Sequence, residues 1–342
     1  MTAGERRIRA GVVGVGHMGQ YHARVYAELW DVDLVGVVDI DPERAARVAA
    51  HYDTRPFTDH RELIGRVDVA SVAVPTEQHV HVARDLLEAG IGVLVEKPMA
   101  ATLEEARELF AVARRTGAVL QVGHVERYNG AVQELRKIVE RPILIESRRL
   151  GPFVPRVQKD TVVMDLMIHD LDIVLGLVDA PPRRLTAFGA AVQSGVPDVA
   201  NVQIWFESGT IATLTASRAT EEKIRTLAVT QPDAYIVLDY LSQDIEIHRR
   251  AAQESHPNRD SIRYRQASFV EHLLVYKDNP LKLEIQQLIR CVRAARAGAP
   301  VELAEAEDLR SLAMALEIER MIRDGRCETT WSGDLPWSAP SA

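Results

Sequence analysis

The sequence predicts a two-domain α/β protein: a doubly wound parallel domain over residues 1–123, then an α+β domain over 124–330 with a large, open, mostly antiparallel sheet, and a tail at 331–342. Three observations predict it. Short apolar runs alternate with longer helical patterns as far as residue 121, a glycine-rich turn closes the first run, and beyond residue 123 strands of period-two alternation follow one another across short polar turns. A length of 342 residues suits two domains of roughly 150 residues each.

In chain order, the apolar runs 8–13, 34–38, 67–74, 91–95 and 119–122 read as buried strands, and the stretches 17–29, 42–51, 78–89 and 103–116 between them read as helices. Strands that alternate with helices imply right-handed crossovers and a parallel sheet. A helix over 126–140 opens the second half. Strand candidates follow at 143–150, 184–193, 210–219, 225–230 and 235–239, and Val202, Ile204 and Phe206 face opposite to Gln203, Trp205 and Glu207. Such a sheet can leave one face for water or a partner subunit. An almost wholly apolar helix covers 162–177, and amphipathic helices return at 281–297 and 304–324. Residues 253–261 read as a polar loop, the tail as loosely held, and no internal repeat is present.

A net charge of −8 with intermixed signs argues against nucleic-acid or anionic-membrane partners, because phosphate demands a basic footprint. Small molecules are the expected partners. The two cysteines, Cys291 and Cys327, form neither a CxxC pair nor a disulfide framework, which suits a reducing cytoplasm. The first residues lack a signal-peptide core, and no apolar stretch is long enough to span a bilayer.

The first strand runs into Gly14-Val15-Gly16-His17-Met18-Gly19, a GxGxxG turn between strand and helix. Glycine permits the tight turn and close backbone approach, and the following helix offers unpaired N–H groups to a pyrophosphate. Asp39 ends the next strand, 20 residues after Gly19. There a carboxylate accepts hydrogen bonds from the adenine-ribose hydroxyls and repels a 2′-phosphate, which favours NAD over NADP, although Arg44 is near enough to shelter a phosphate. The pair of signals points to dinucleotide binding.

Glu96-Lys97-Pro98 closes the strand candidate 91–95, so Lys97 stands at the carboxyl end of a parallel strand, where ligands of open α/β sheets bind; a surface Lys-Pro turn is the alternative. Pro75, Thr76 and His79 border the same crevice from the preceding strand end. His79 and His81, at i and i+2, share no helix face, which speaks against a two-histidine metal site. Within 162–177, Asp165, His169 and Asp172 recur at i, i+4 and i+7. A polar stripe on a buried helix lines a cavity or is paired in the core. Metal ligation by Asp165 and His169 lacks a third ligand, so no metal is assigned; acid–base work fits better, with a carboxylate orienting the histidine.

Taken in order and spacing, the GxGxxG turn, Pro75, Thr76 and His79, the Glu96-Lys97-Pro98 triplet and Asp165 with His169 resemble the Gfo/Idh/MocA oxidoreductases over essentially the whole chain. The resemblance implies a Rossmann domain with an open-sheet partner domain, homodimers or homotetramers through that sheet, and hydride transfer at a sugar carbon. It makes Lys97, Asp165 and His169 the catalytic triad: His169 takes the hydroxyl proton, Lys97 polarises the reacting oxygen, and Asp165 positions substrate and lysine. It gives the cofactor Gly14, Gly16, His17, Met18, Gly19, Asp39, Thr76, His79, Glu96 and Lys97. Many members carry Gly-Gly before the aspartate and glycine two residues after it, where this chain has Thr161-Val162-Val163 and Met167, a departure that speaks against a simple polyol.

The strings VGHVERYN at 122–129, LGPFVPR at 150–156 and DLMIHDLD at 165–172 resemble the branch that oxidises UDP-N-acetylglucosamine at the sugar 3-position. That resemblance implies a UDP-N-acetylhexosamine substrate touched by Arg127, Asn129, Arg156 and His169. The cluster Arg148, Arg149, Arg156 and Lys159 suits a pyrophosphate if it faces the crevice, and is otherwise a solvated strand edge. An inositol or free-aldose dehydrogenase and a non-catalytic NAD-binding regulator are the competing readings.

Overall fold

Residues 6–155, 160–250 and 268–331 are described by a computed structural model. The chain divides into two compact units, in which Asn279–Leu312 returns to join the residues before Asn129, while Asn129–Asp278 groups with the chain from Ala313 onward.

In the first unit the parallel strands are β1 (Ile8–Val13), β2 (Val32–Val38), β3 (Arg55–Phe57), β4 (Val69–Val72), β5 (Gly92–Glu96) and β6 (Leu120–Gly123). Their order is β3-β2-β1-β4-β5-β6. The short strand β3 and a 3₁₀ turn at His60–Leu63 were not anticipated, for neither carries a run of apolar residues. β4 and β5 are buried along their whole length, which is why they read as continuous apolar runs rather than alternating ones. The helices between are α1 (His17–Glu28), α2 (Pro42–His51), α3 (Thr76–Glu88) and α4 (Leu103–Thr116). Local chemistry sets their ends: Asp41 caps α2 ahead of Pro42, and Thr102 with Glu105 closes a capping box on α4, which stops at Gly117 with φ 69°. The strand order reverses between β2 and β4 around β1, and ligands of such sheets bind beyond the strand ends at this switch point.

The single boundary read at 123/124 does not describe these units. Helix α7 (Pro280–Arg296) places Leu281, Ile285, Leu288, Ile289 and Val292 in the same apolar cluster as Ile8, Ala10 and Val12 of β1. A helix so distant in sequence is drawn there by burial of its apolar stripe.

The helix expected over 126–140 is broken into a 3₁₀ turn at Val125–Tyr128 and α5 (Gly130–Ile138), because Asn129 adopts extended backbone (ψ 124°) and its side chain caps the N–H of Ala131. Nine strands follow: β7 (Leu144–Leu150), β8 (Pro182–Ala190), β9 (Val199–Phe206), β10 (Ile211–Ser217), β11 (Ile224–Gln231), β12 (Ala234–Asp239), β13 (Asp244–Arg250), β14 (Ser268–Leu273) and β15 (Glu328–Thr330). They are ordered β14-β13-β12-β11-β7-β10-β9-β8-β15, all antiparallel except β7 with β10. One face, carrying Val202, Ile204 and Phe206, shares a core with α5, α6 (Ile168–Leu177) and Met314, Ile318 and Met321 of α8 (Glu305–Arg323). Strands β13, β14 and β15 were not read from sequence. The expected loop 253–261 and the tail beyond 331 lie outside the described residues.

Candidate active site

The turn after β1 is shaped by three glycines with three different duties. Gly14 has φ 83°, and a Cβ there would meet the Ala73 carbonyl oxygen at 2.6 Å. A Cβ on Gly19 would lie 1.8 Å from the Gly14 oxygen, so this glycine lets α1 pack against the turn. At Gly16 a Cβ would meet nothing within 4 Å, which leaves open space above the backbone. Helix α1 begins there with no side-chain cap and no acidic residue in its first turn, so its positive N-terminal end suits an anion. His17 and Met18 are exposed in that turn. These features fit a dinucleotide pyrophosphate.

Asp39 is 5 % exposed at the end of β2, where its carboxylate accepts the N–H of Val15 and of Asp41, each at 3.0 Å. Arg44 reaches the same carboxylate at 3.3 Å and also pairs with Asp41, so its charge is directed at acidic partners. Next to Asp39 stands Ile40, 92 % exposed. An aliphatic side chain left in water beside the aspartate at the end of β2 could face an adenine, a signal that sequence reasoning passed over because single exposed apolar residues are common.

Thr76 is the half-exposed first residue of α3, and Lys97 is half-buried just past β5 at a cis Lys97–Pro98 bond. Two residues assigned to the cofactor do other work. His79 is buried, with Nδ1 2.8 Å from the Pro98 oxygen and Nε2 2.8 Å from the Val74 oxygen; burial holds its pKa below the ordinary imidazole value. It ties α3 to the Lys97-Pro98 turn. Glu96 turns inward, where its Oε1 lies 2.8 Å from His22 Nε2, and His22 Nδ1 lies 2.9 Å from the Ser71 hydroxyl, itself bonded to Tyr26. Burial pushes the Glu96 carboxyl up, but His22 and the charge of Lys97 outweigh it and the group stays below its usual range. This buried chain of His22, Ser71 and Tyr26 was missed, since polar residues inside apolar helical and strand runs give no periodic signal.

Arg127 and Asn129, assigned to substrate, are likewise occupied. Arg127 is 2.8 Å from Asp308, and Asn129 is buried, donating to the Tyr240 carbonyl while capping α5. Arg156 and Lys159 lie outside the described residues. Arg149 is 1 % exposed, paired with Asp170 at 2.7 Å and stacked on Tyr240 at 4.9 Å, so it is a core ion pair rather than part of a basic edge; Arg148 alone of the described pair is exposed.

Asp165 sits in a π-helical turn, Val163–Met167, that leads into α6. The regular stripe read at i, i+4 and i+7 is therefore interrupted: Asp165 and His169 are half-exposed, whereas Asp172 is 5 % exposed. Single π turns recur at functional sites because the extra residue re-aims side chains.

A three-glycine turn, an open helix terminus, an aspartate at the end of β2 and a lysine at the end of β5 define a nicotinamide-dependent oxidoreductase. Residues 8–124 match the "Oxidoreductase family, NAD-binding Rossmann fold", and residues 130–236 match the "GFO/IDH/MocA C-terminal domain". The chain belongs to the Gfo/Idh/MocA oxidoreductases and, like its relatives, acts on CH–OH groups. It is 36% identical over 312 residues to a UDP-N-acetylglucosamine 3-dehydrogenase of Acidithiobacillus ferrooxidans, covering 91% of this chain and 96% of that one. A solved structure of that protein superposes with a TM-score of 0.82, covering 93% of this chain and 98% of the other at 34% identity. An inositol 2-dehydrogenase of Saccharopolyspora erythraea is 31% identical over 182 residues, 50% of this chain and 54% of its own.

Proposed function

We propose that the chain oxidises the 3-hydroxyl of a UDP-N-acetylhexosamine with NAD. The observation that carries this reading is the sequence likeness to the 3-dehydrogenase along 91% of the chain at 36% identity; sequence likeness to inositol 2-dehydrogenases extends over 50% to 62%. A bound nicotinamide would supply the acceptor for the hydride of the sugar carbon. His169 takes the proton of the reacting hydroxyl, Lys97 hydrogen-bonds and polarises its oxygen, and Asp165 orients the substrate, leaving a ketone. Gly16 and the α1 terminus hold the pyrophosphate, Thr76 borders the nicotinamide, and His79 and Glu96 hold the ends of α3 and β5 in place around it.

Preference for NAD is supported by Asp39, whose buried carboxylate would repel a 2′-phosphate while Arg44 is turned to Asp39 and Asp41. The protein works as a homodimer or homotetramer through the open face of the nine-stranded sheet, in a reducing cytoplasm that suits its two free cysteines. Among the described residues no helix is long and apolar enough to cross a membrane.

A panel of UDP-sugars, free aldoses and inositol, scored by NADH and NADPH formation, tests the reading. The expected result is turnover of a UDP-N-acetylhexosamine with NAD, and a KM raised by about tenfold or more in Arg156→Ala with kcat little changed, because a pyrophosphate contact acts equally on ground and transition states. Efficient turnover of inositol or a free aldose, with no response to any UDP-sugar, overturns it.

A further inference from the structure

His60, His81 and Asp85 gather three metal-binding groups on the first unit, away from the glycine turn in sequence and outside the machinery described above. One ligand atom from each lies within 4.8 Å of the other two. Their placement follows from the fold: His81 and Asp85 share a face of α3 at i and i+4, and His60 opens the 3₁₀ turn packed beside that helix. The spacing argument that separates His79 from His81 thus leaves His81 with Asp85, and the third donor comes from a turn that sequence periodicity does not reveal.

The geometry is partly formed. His60 Nε2 is 3.0 Å from Asp85 Oδ2, close to the separation of neighbouring donors around one small cation. The His60 and His81 rings meet edge to face with centroids 5.5 Å apart. His81 is exposed, and its ligand atom already lies within 4.8 Å of those of His60 and Asp85. Two neighbours compete among the described residues: Arg61, whose Nε also lies 3.0 Å from Asp85 Oδ2 on a side chain that is 56% exposed, and Asp59, whose carboxylate lies 3.6 Å from His60 Nδ1.

We propose that His60, His81 and Asp85 bind one divalent transition metal of the zinc class, with water completing the coordination. Two imidazoles and a carboxylate suit zinc, cobalt or nickel, whereas magnesium and calcium take oxygen donors. The ion would clamp the turn at His60–Leu63 to α3.

The test uses the full-length protein, stripped with chelator, titrated with Zn²⁺ by calorimetry and with Co²⁺ in the visible, alongside His81→Ala, Asp85→Asn and Arg61→Ala. About one equivalent of Zn²⁺ is expected to bind the parent and raise its Tm, with d–d bands appearing on Co²⁺ addition. His81→Ala should weaken binding about tenfold or more and abolish the Zn²⁺-dependent Tm shift, without lowering the metal-free Tm, since the replaced ring is exposed. Arg61→Ala should bind tighter than the parent. Absence of binding to the parent, or an affinity and Co²⁺ spectrum unchanged in both His81→Ala and Asp85→Asn, overturns the proposal.

Discussion

Glu284 on α7 is fully buried, and neither oxygen of its carboxyl has a hydrogen-bond partner. Burial, then the negative charges of Glu96 and Asp308, push its pKa well above the ordinary 4.5, while Arg127 pulls the other way. A carboxyl whose folded pKa is raised keeps its proton in the native state after the unfolded chain has lost it. Its stabilising share is complete below the unfolded pKa and is lost as pH rises through the folded one. Urea unfolding between about pH 5 and about pH 9 should therefore show the parent losing stability relative to Glu284→Gln as pH increases. Parallel curves for the two proteins would refute this. Asp198 shows the opposite sign. Its carboxylate accepts the N–H groups of Val192, Gln193 and Ser194 and pairs with Arg218, so it is held far below the usual range and its contribution disappears in acid. Lys97 and His169 are residues of chemistry in the proposed mechanism: Lys97→Met and His169→Ala should each cost about a hundredfold or more in kcat while Tm stays within a few degrees. Unfolding with unchanged activity per folded molecule would assign them to the core instead.

At the scale of elements, the β1–α1 turn separates packing from binding. Gly19→Ala forces a Cβ onto the Gly14 carbonyl and should destabilise by about 1–3 kcal/mol. Gly16→Ala enters open space, so it should melt like the parent yet weaken NAD binding about tenfold, because its Cβ occupies the room left for the pyrophosphate. Thermal melts and NAD titrations on both variants read the two effects separately; equal NAD affinity in Gly16→Ala and the parent would remove the turn from the cofactor site. The π turn before α6 belongs to the same scale. It is an extra residue in an apolar helix, and hydrophobic periodicity is too coarse to register one residue.

For the whole molecule, the open face of the nine-stranded sheet is where self-association is proposed. Phe188 on β8 and Tyr235 on β12 are 61% and 41% exposed there, on strands where Leu185, Ala187, Ile236 and Leu238 are buried. Light scattering at micromolar concentration should return at least twice the 38.0 kDa of one chain, and Phe188→Glu with Tyr235→Glu should return the monomer. A monomeric parent would contradict the assignment.

The sequence by itself determined the dinucleotide turn, the aspartate at the end of β2, the alternation of strands and helices, and the class of sheet in each half. These are local signals, set by glycine sterics and by the periods of strand and helix. It also singled out Lys97, Asp165 and His169 through their motifs. Only the tertiary structure decided what lay across long separations: α7 returning to the β1 core, Arg149 withdrawn from the surface by Asp170, Arg127 held by Asp308, and Asn129 capping α5 while donating to the Tyr240 carbonyl. A charged or amide side chain reads alike in sequence whether it awaits a substrate or already has a partner. Which one holds depends on what folding brings within about 3 Å of it, and on the cost of burying it without that partner.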